Sequence, residues 1–556
     1  MKIVIPMSGF GERFRRAGYT VPKPLIEIDG NPIIAHVIDM FPGEQDFIFV
    51  CNQDHLDNPQ YRMEAILRQY CPSGRIVGIP AHKLGPIHAV RQIEHLIDPD
   101  CPVIVNYCDF TCYWDWNHFK QFVETTACAG AIPAYKGFHP HTLGSTNYAY
   151  LRDANGWVLD IQEKQPYTDN RMQEYASSGT YYFASGKLMS DAFRATMEQK
   201  LSVGGEYYVS LAYKALLSEH RPVAVYPLQH FMQWGTPEDV AEYRGWSTAF
   251  KRLLDRGDTA TEPLGSAVIV MAGLGQRFAN EGYELAKPLI PVSGRPMVAQ
   301  ATHDLPTARR YVFVLRGDMA GHETIADELK HLYPNALIET IAGVTQGQAC
   351  TARIGLDALA CAADDIPGPV TFGSCDSGFL YDFHAFQQLI DNPDIDVMVW
   401  GARGHANAIR KPGMFGWIDA DHGRIHRISV KTPLDSPATD LIVLGTFTFR
   451  RAHDFYRVLE RLIARDGRVN GEFYIDSCIN DAIDLGLRCH VLEVESYLSW
   501  GTPQDLQTFE YWQSCFHKWT GHPYRLELDG RVPCHALPAL AERYRATIPD
   551  LPGARP

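Results

Sequence analysis

Residues Ile3–Phe14 read IVIPMSGFGERF, and residues Ala267–Phe278 read AVIVMAGLGQRF. Each is an apolar, β-rich run ending in Gly-x-Gly-x-Arg-Phe, the pattern of a buried strand running into a glycine-rich loop. Gly9, Gly11, Arg13, Lys23 and Gly30 stand opposite Gly273, Gly275, Arg277, Lys287 and Gly294, each 264 residues apart. Cys108-Asp109 answers Cys375-Asp376 at an offset of 267. Gly179-Thr180 answers Gly445-Thr446, Gly205-Glu206 answers Gly471-Glu472, and Trp234-Gly235-Thr236-Pro237 answers Trp500-Gly501-Thr502-Pro503, all at 266. Ordered matches with so little drift mark a tandem duplication. Two large copies therefore replace the three or four average domains that 556 residues would otherwise suggest.

Short β-rich runs recur through each copy. The first has Lys2–Met7, Phe47–Asn52, Arg75–Pro80, Val103–Tyr107 and Ala129–Ala134; the second has Val268–Ala272, Tyr311–Arg316, Ala336–Ile341, Val370–Ser374 and Val397–Ala402. Helical patterns such as Tyr61–Tyr70 and His88–Ile97 fall between them. Strands apolar on both faces, alternating with helices, predict an α/β fold with a mostly parallel mixed sheet covered on both sides. The expected division is residues 1–250, a polar linker 251–265 containing Arg256-Gly257-Asp258-Thr259, residues 266–516, and a C-terminal tail 517–556.

Charge narrows the class of partner. Lys and Arg total 51 against 65 Asp and Glu, a net charge of −14, so a basic footprint for nucleic acid is missing. No apolar stretch approaches a membrane span of about 18 residues. The 13 cysteines include no C-x-x-C pair, which reads as reduced, mostly buried thiols in a cytoplasmic protein.

Gly9 and Gly11 follow a strand, where α/β folds place phosphate-binding loops, because a backbone without side chains can approach a phosphate closely. The third glycine of a dinucleotide fingerprint would fall at Phe14, and no Gly-Lys-Ser/Thr of a P-loop follows. Arg13 and Lys23 could hold a polyphosphate from two sides, and Arg277 and Lys287 repeat the spacing. Asp109 and Asp376 each close a central strand, at the ligand-facing edge of an open sheet, and suit Mg²⁺. Thr236-Pro237-Glu238-Asp239 reads as a helix start, with Thr as cap and Pro in the first helical position. His139-Pro140-His141 lacks a third metal ligand and reads as a loop meeting an anionic substrate; Tyr113, Trp114 and Trp116 read as packing groups.

With these motifs assembled, both copies resemble the sugar-phosphate nucleotidyltransferases, the pyrophosphorylases that make NDP-sugars. GFGERF…PKP at Gly9–Pro24 and GLGQRF…AKP at Gly273–Pro288 carry the resemblance, which leans toward cytidylyltransferase-like members of capsule loci. It implies a Rossmann-like, glycosyltransferase-A-type domain in each copy. Gly9, Gly11 and Arg13, with Gly273, Gly275 and Arg277, would hold an NTP, and Lys23 and Lys287 would contact its reacting phosphates. Gly85, and Gln346-Gly347 in the second copy, would sit against the base. Glu163-Lys164, Gly179 and Lys431, with His139 and His141, would meet a small phosphorylated acceptor. Asp109 and Asp376 would hold Mg²⁺. The implied reaction transfers a nucleoside monophosphate, CMP first, and releases pyrophosphate, for surface or capsular polysaccharide synthesis.

Two departures stand out. Many members carry a second metal-binding Asp where this chain has Gln233 and Ser499; Glu206 could substitute. The second copy sets Val430 against Glu163 while Lys431 answers Lys164, at an offset of 267. The same offset sets Ala406 and Ala408 against His139 and His141, whereas a shift of one residue pairs His139 with His405. The second copy thus takes a different acceptor or is a non-catalytic scaffold or sensor. A glycosyltransferase of related fold ranks lower, because neither Asp109-Phe110-Thr111 nor Asp376-Ser377-Gly378 contains Asp-x-Asp. Two fused copies could also replace a homodimer by an intramolecular pseudo-dimer.

Overall fold

The computed structural model describes residues 1–255, 262–362 and 366–555. Arg256-Gly257-Asp258-Thr259 of the expected linker lies outside the described residues. The residues before it continue a helix, Pro237–Asp255. The chain divides into two units, Met1–Ser247 with Arg545–Pro556, and Thr248–Tyr544.

In the first unit a ten-stranded sheet runs in the order Tyr175–Ser177, Ala149–Ala154, Trp157–Glu163, Val223–Leu228, Gly130–Tyr135, Thr180–Phe183, Val103–Asn106, Lys2–Met7, Phe47–Asn52, Arg75–Ile79. The last four strands are parallel. Strand alternation sends Val4, Val50 and Val105 into one core with Ile87, Val90, Phe193, Val209 and Leu216 of three helices. The opposite face carries Tyr182 and Tyr226 against Phe119 of helix Trp116–Thr126. Each such side chain contributes about 1.5–3 kcal/mol by leaving water.

The antiparallel ribbon Ala149–Ala154/Trp157–Glu163 is absent from the sequence expectation. Each strand is buried over its first two or three residues and then turns mostly polar and partly exposed, so neither offers a long apolar run. Trp114 and Trp116 pack in a cluster with Phe41 and Phe119. Residues 545–555 belong to this unit: Trp157 Nε1 donates to the Gly553 carbonyl at 2.8 Å, and Arg555 lies over the Trp157 ring at 4.7 Å.

The second unit builds a nine-stranded sheet with the same parallel half, Leu337–Ile341, Arg310–Arg316, Ser266–Met271 and Val370–Ser374. It continues through Leu441–Phe449, Val397–Ala402, Cys489–Glu493, Arg424–Val430 and Gly416–Asp421. Among the described residues no helix is long and apolar enough to cross a membrane. The cysteines are free thiols.

Candidate active site

In the first unit, the strand Lys2–Met7 delivers the chain into the loop Ser8–Gly11 at the C-terminal edge of the parallel strands. Gly11 sits at φ +63° and Gly275 at φ +65°, a left-handed turn that glycine makes without strain. A side chain built on Gly11 would begin 3.9 Å from the Lys23 backbone nitrogen, so the loop lies directly over Lys23.

Lys23 Nζ donates to Asp109 Oδ2 at 2.8 Å, with both side chains about a quarter exposed. Burial opposes the lysine's charge, but Asp109 outweighs it and holds the ammonium above its ordinary pKa. Lys287 and Asp376 form the matching pair at 2.5 Å, and Lys287 also donates to the Gly501 carbonyl at 3.2 Å. Burial works against the Asp376 carboxylate, yet Lys287 holds it below the usual range.

Gly85 is forced by close approach. At φ +86°, its Cβ would stand 2.7 Å from the Tyr207 backbone nitrogen, while Tyr207 donates to the Leu84 carbonyl and accepts from Ile87. Gly347 repeats this at φ +132°, 2.5 Å from Phe473, with Phe473 donating to the Gln346 carbonyl. The Gln346 side chain accepts from Arg468 at 3.1 Å. Gly179 sits at φ +99°, and a Cβ there would lie 3.0 Å from the Tyr107 ring.

The groups of the first unit line one cavity of about 580 Å³, whose lining includes Gly9, Gly11, Arg13, Lys23, Gly85 and Asp109. Glu163, Lys164, Gly179, Glu206 and Tyr208 line it as well. Ser210 Oγ donates to Glu163 Oε2 at 2.6 Å. Burial raises the Glu163 carboxyl's pKa, against the hydrogen bond from Ser210 and the charge of Lys164. The Lys164 ammonium donates to the Tyr208 hydroxyl, which in turn donates to Glu206.

The structure brings together an ammonium, a guanidinium, a glycine loop and a carboxylate, facing a second polar cluster. Such a site can bind and neutralise a polyphosphate and hold a small polar partner beside it.

His139 and His141 lie elsewhere. His139 is 2 % exposed, its ring 4.4 Å from that of Tyr135, and burial lowers its pKa to about 3, so it is neutral and turned away from the cavity lining. His141 makes a 2.8 Å hydrogen bond with the Tyr135 hydroxyl and packs on Phe231. His405 of the second unit is half-buried against Tyr497, 5.0 Å away, which favours the one-residue shift that pairs it with His139. A His-Pro-His loop looks polar in sequence; the aromatic groups that enclose it are Tyr135, at the end of the preceding strand, and Phe231, far along the chain.

Three contributors are absent from the sequence expectation. Tyr208 and Ser210 follow Glu206, and the repeat Gly205-Glu206-Tyr207-Tyr208 against Gly471-Glu472-Phe473-Tyr474 was a readable signal for the first. The third is Gln233. The hairpin that pairs Gln233 with Phe110, together with the Trp234 N–H donating to the Asp109 carbonyl at 2.9 Å, sets the Gln233 amide beside Asp109. Its Nε2 donates to Asp239 at 2.5 Å, while its Oε1 is buried and accepts nothing among the described residues. Asp239 also accepts from Thr236 in the reciprocal cap of a helix start, and Thr502 and Asp505 form the same cap in the second unit.

Residues 2–232 match the family model described as Nucleotidyl transferase. Among curated relatives, the chain is 24% identical over 211 residues to the mannose-1-phosphate guanylyltransferase catalytic subunit beta of Danio rerio, covering 36% of this chain and 54% of the relative. It is 25% identical over 260 residues to the bifunctional protein GlmU of Methanocaldococcus jannaschii, covering 47% and 56%. The chain spans about half the length of these relatives. Solved structures similar to it include a nucleoside-diphosphate-sugar pyrophosphorylase from Vibrio cholerae (21% identity, TM-score 0.37, 44% of this chain and 98% of that one). Another is the inositol-1-phosphate CTP transferase of T. maritima (14% identity, TM-score 0.35, 45% and 96%).

Proposed function

We propose that the protein transfers a nucleoside monophosphate from an NTP to a sugar phosphate or similar small phosphorylated acceptor, releasing pyrophosphate, a reading supported by the match of residues 2–232 to the Nucleotidyl transferase family model. The observation that carries this reading is the Lys23–Asp109 pair lying under the glycine loop of the first unit's cavity. Residues 1–250 and 266–516 would form two such domains, joined by 251–265 and followed by the tail 517–556.

In the reaction, an oxygen of the acceptor phosphate attacks the NTP α-phosphorus as the bond to the β-phosphate oxygen breaks, and pyrophosphate carries the electron pair away. The nucleophile is already anionic, so no side-chain base is needed. Catalysis then rests on positioning and charge. The loop from Ser8 to Gly11 offers its backbone to the phosphates, Arg13 and Lys23 neutralise them, and Gly85 leaves room for the base. Glu163, steadied by Ser210, accepts from acceptor hydroxyls, and Lys164 meets the acceptor phosphate.

Mg²⁺ fits this donor set. Asp109 and the otherwise unused Oε1 of Gln233 would hold it, with phosphate oxygens and water completing its shell, as suits an ion that takes few protein carboxylates. When bound, it supplies charge neutralisation and orientation at the triphosphate.

CTP is the first nucleotide to test, because the Gly9–Pro24 and Gly273–Pro288 segments resemble cytidylyltransferase-like members. The relatives' printed names add GTP to the list, through mannose 1-phosphate guanylyl transfer. The product class, an activated sugar or phosphate ester, suits surface or capsular polysaccharide synthesis from the cytoplasmic NTP pool. The test is pyrophosphate release from each NTP paired with sugar and polyol phosphates in the presence of Mg²⁺.

A further inference from the structure

The two copies part company around Glu163, and the change is organised. In the first unit Glu163 pairs across the antiparallel ribbon with Ala149. In the second, Val430 pairs in the same register with Gly416. The lysine that follows keeps its place: Lys164 sits at φ +59° and donates its N–H to the Tyr148 carbonyl at 2.8 Å, while Lys431 sits at φ +60° and donates to the Phe415 carbonyl at 3.1 Å. Each ammonium also faces a tyrosine two residues beyond a Gly-Glu, Lys164 over Tyr208 at 4.3 Å and Lys431 over Tyr474 at 5.7 Å. The subsite is therefore retained around a missing carboxylate.

A carboxylate has entered from the other wall. Ser210, whose hydroxyl touches Glu163 at 2.6 Å, is answered by Asp476 in the first turn of helix Ile475–Asp484. Because the Ser210 tip and the Glu163 carboxylate are in contact, an acid at the serine position places its charge where the glutamate's would be. Gly416 makes the room: a Cβ there would lie 2.4 Å from Asp476 Oδ2. Ala149, Glu163 and Ser210 have been exchanged together for Gly416, Val430 and Asp476, moving one negative charge from strand to helix.

We infer that Asp476 is the acceptor-binding carboxylate of the second copy, so that this copy is a working transfer site for a phosphorylated polyol or sugar whose hydroxyls face the helix wall. This rests on reading the protein as a nucleotidyltransferase. The neighbours have changed with it: Ser177 is answered by Val443 and Tyr181 by Phe447, giving a more apolar floor. Burial raises the Asp476 carboxyl's pKa, against the charge of Lys431. An acceptor with fewer hydroxyls toward the sheet and one or two toward the helix suits these walls.

The test uses the full chain with Asp109→Asn, which silences the first copy, and Asp376→Asn, which silences the second. Pyrophosphate release is measured with D-mannose 1-phosphate, D-glucose 1-phosphate and myo-inositol 1-phosphate against each NTP. The Asp109→Asn chain is expected to turn over an acceptor. Adding Asp476→Asn, or separately Gly416→Ala, should raise the acceptor KM about tenfold or more, the loss of one charge-assisted hydrogen bond, with the NTP KM unchanged. Grafting Gly416→Ala, Val430→Glu and Asp476→Ser together should shift acceptor preference toward that of the Asp376→Asn chain. An acceptor KM that neither single variant moves by more than about twofold overturns the inference. So does an inert Asp109→Asn chain beside an active Asp376→Asn chain, which leaves the reading of the first copy standing. Inactivity of both chains and of the unsubstituted protein overturns the inference and the nucleotidyltransferase reading together.

Discussion

The proposed phosphate ends of the two copies are built alike, and their proposed acceptor ends are not. Lys23–Asp109 and Lys287–Asp376 are the same ion pair, at 2.8 and 2.5 Å, under the same left-handed glycine. Gly85 and Gly347 are pressed by the same backbone, that of Tyr207 and Phe473. Around the proposed acceptor pocket, Tyr107, Glu163, Ser177 and Ser210 give way to Ser374, Val430, Val443 and Asp476. On the proposed reading, a triphosphate presents the same charges whatever the acceptor, which accounts for a constant cradle beside a rewritten acceptor wall. Even the loop support differs. Arg316 reaches the Gly273 carbonyl at 3.3 Å, whereas its counterpart Asn52 caps a short helix through Asp54.

The largest expected effects fall on the shared end. Lys23→Met removes a phosphate-neutralising cation and leaves the Asp109 carboxylate unpaired, so transfer by the first copy should fall about 10²–10³-fold in kcat. Lys287→Met should do the same to the second copy, and single-turnover assays in chains with the other copy silenced separate the two. Equal losses sharpen the likeness of the phosphate ends; a loss in one only would break it.

Next comes the metal. Gln233→Ala should weaken Mn²⁺ binding to the first copy about tenfold or more, read by electron paramagnetic resonance as well as by activity. Ser499→Ala should change Mn²⁺ binding to the second copy less, since the Ser499 hydroxyl already accepts from the Gly501 N–H at 3.4 Å. A smaller effect is structural. Gly85→Ala and Gly347→Ala should each cost about 1–3 kcal/mol through forced φ and contact with Tyr207 or Phe473, seen as lowered melting of the affected unit.

The smallest is a pH effect. His139 is held neutral with its pKa lowered from 6.5 to about 3, so the folded first unit binds fewer protons than the unfolded chain in that window. The stability it confers is complete above about 6.5 and is lost as pH falls toward 3. His139→Phe should flatten that decline, measured by denaturant unfolding at pH 7 and pH 4.5. His405, lowered to about 4, predicts a similar decline in the second unit.

What was legible in the sequence follows the same division. The parallel strands and the glycine loops announce themselves as continuous apolar runs ending in Gly-x-Gly, and Asp109 and Asp376 are readable because each directly follows such a run. The antiparallel ribbon that carries Glu163 was not legible, because each strand is continuously apolar only over its first two or three residues and mostly polar beyond them. The Glu163–Ser210 contact spans 47 residues, and the exchange for Asp476 and Gly416 leaves no local pattern at all. It becomes visible only when strand register shows Gly416 opposite Val430. His139 shows the converse: residue type suggested contact with an anionic substrate, and burial among aromatic rings makes it part of the core.

The most direct measurement is pyrophosphate release by the intact chain over a grid of NTPs and phosphorylated acceptors, repeated with Asp109→Asn. The account predicts release with at least one pairing, formation of the matching nucleoside diphosphate ester, and a fall of about 10²-fold or more in the first copy's share on Asp109→Asn. No release from any pairing, or release that Asp109→Asn leaves wholly unchanged with every acceptor, would contradict it.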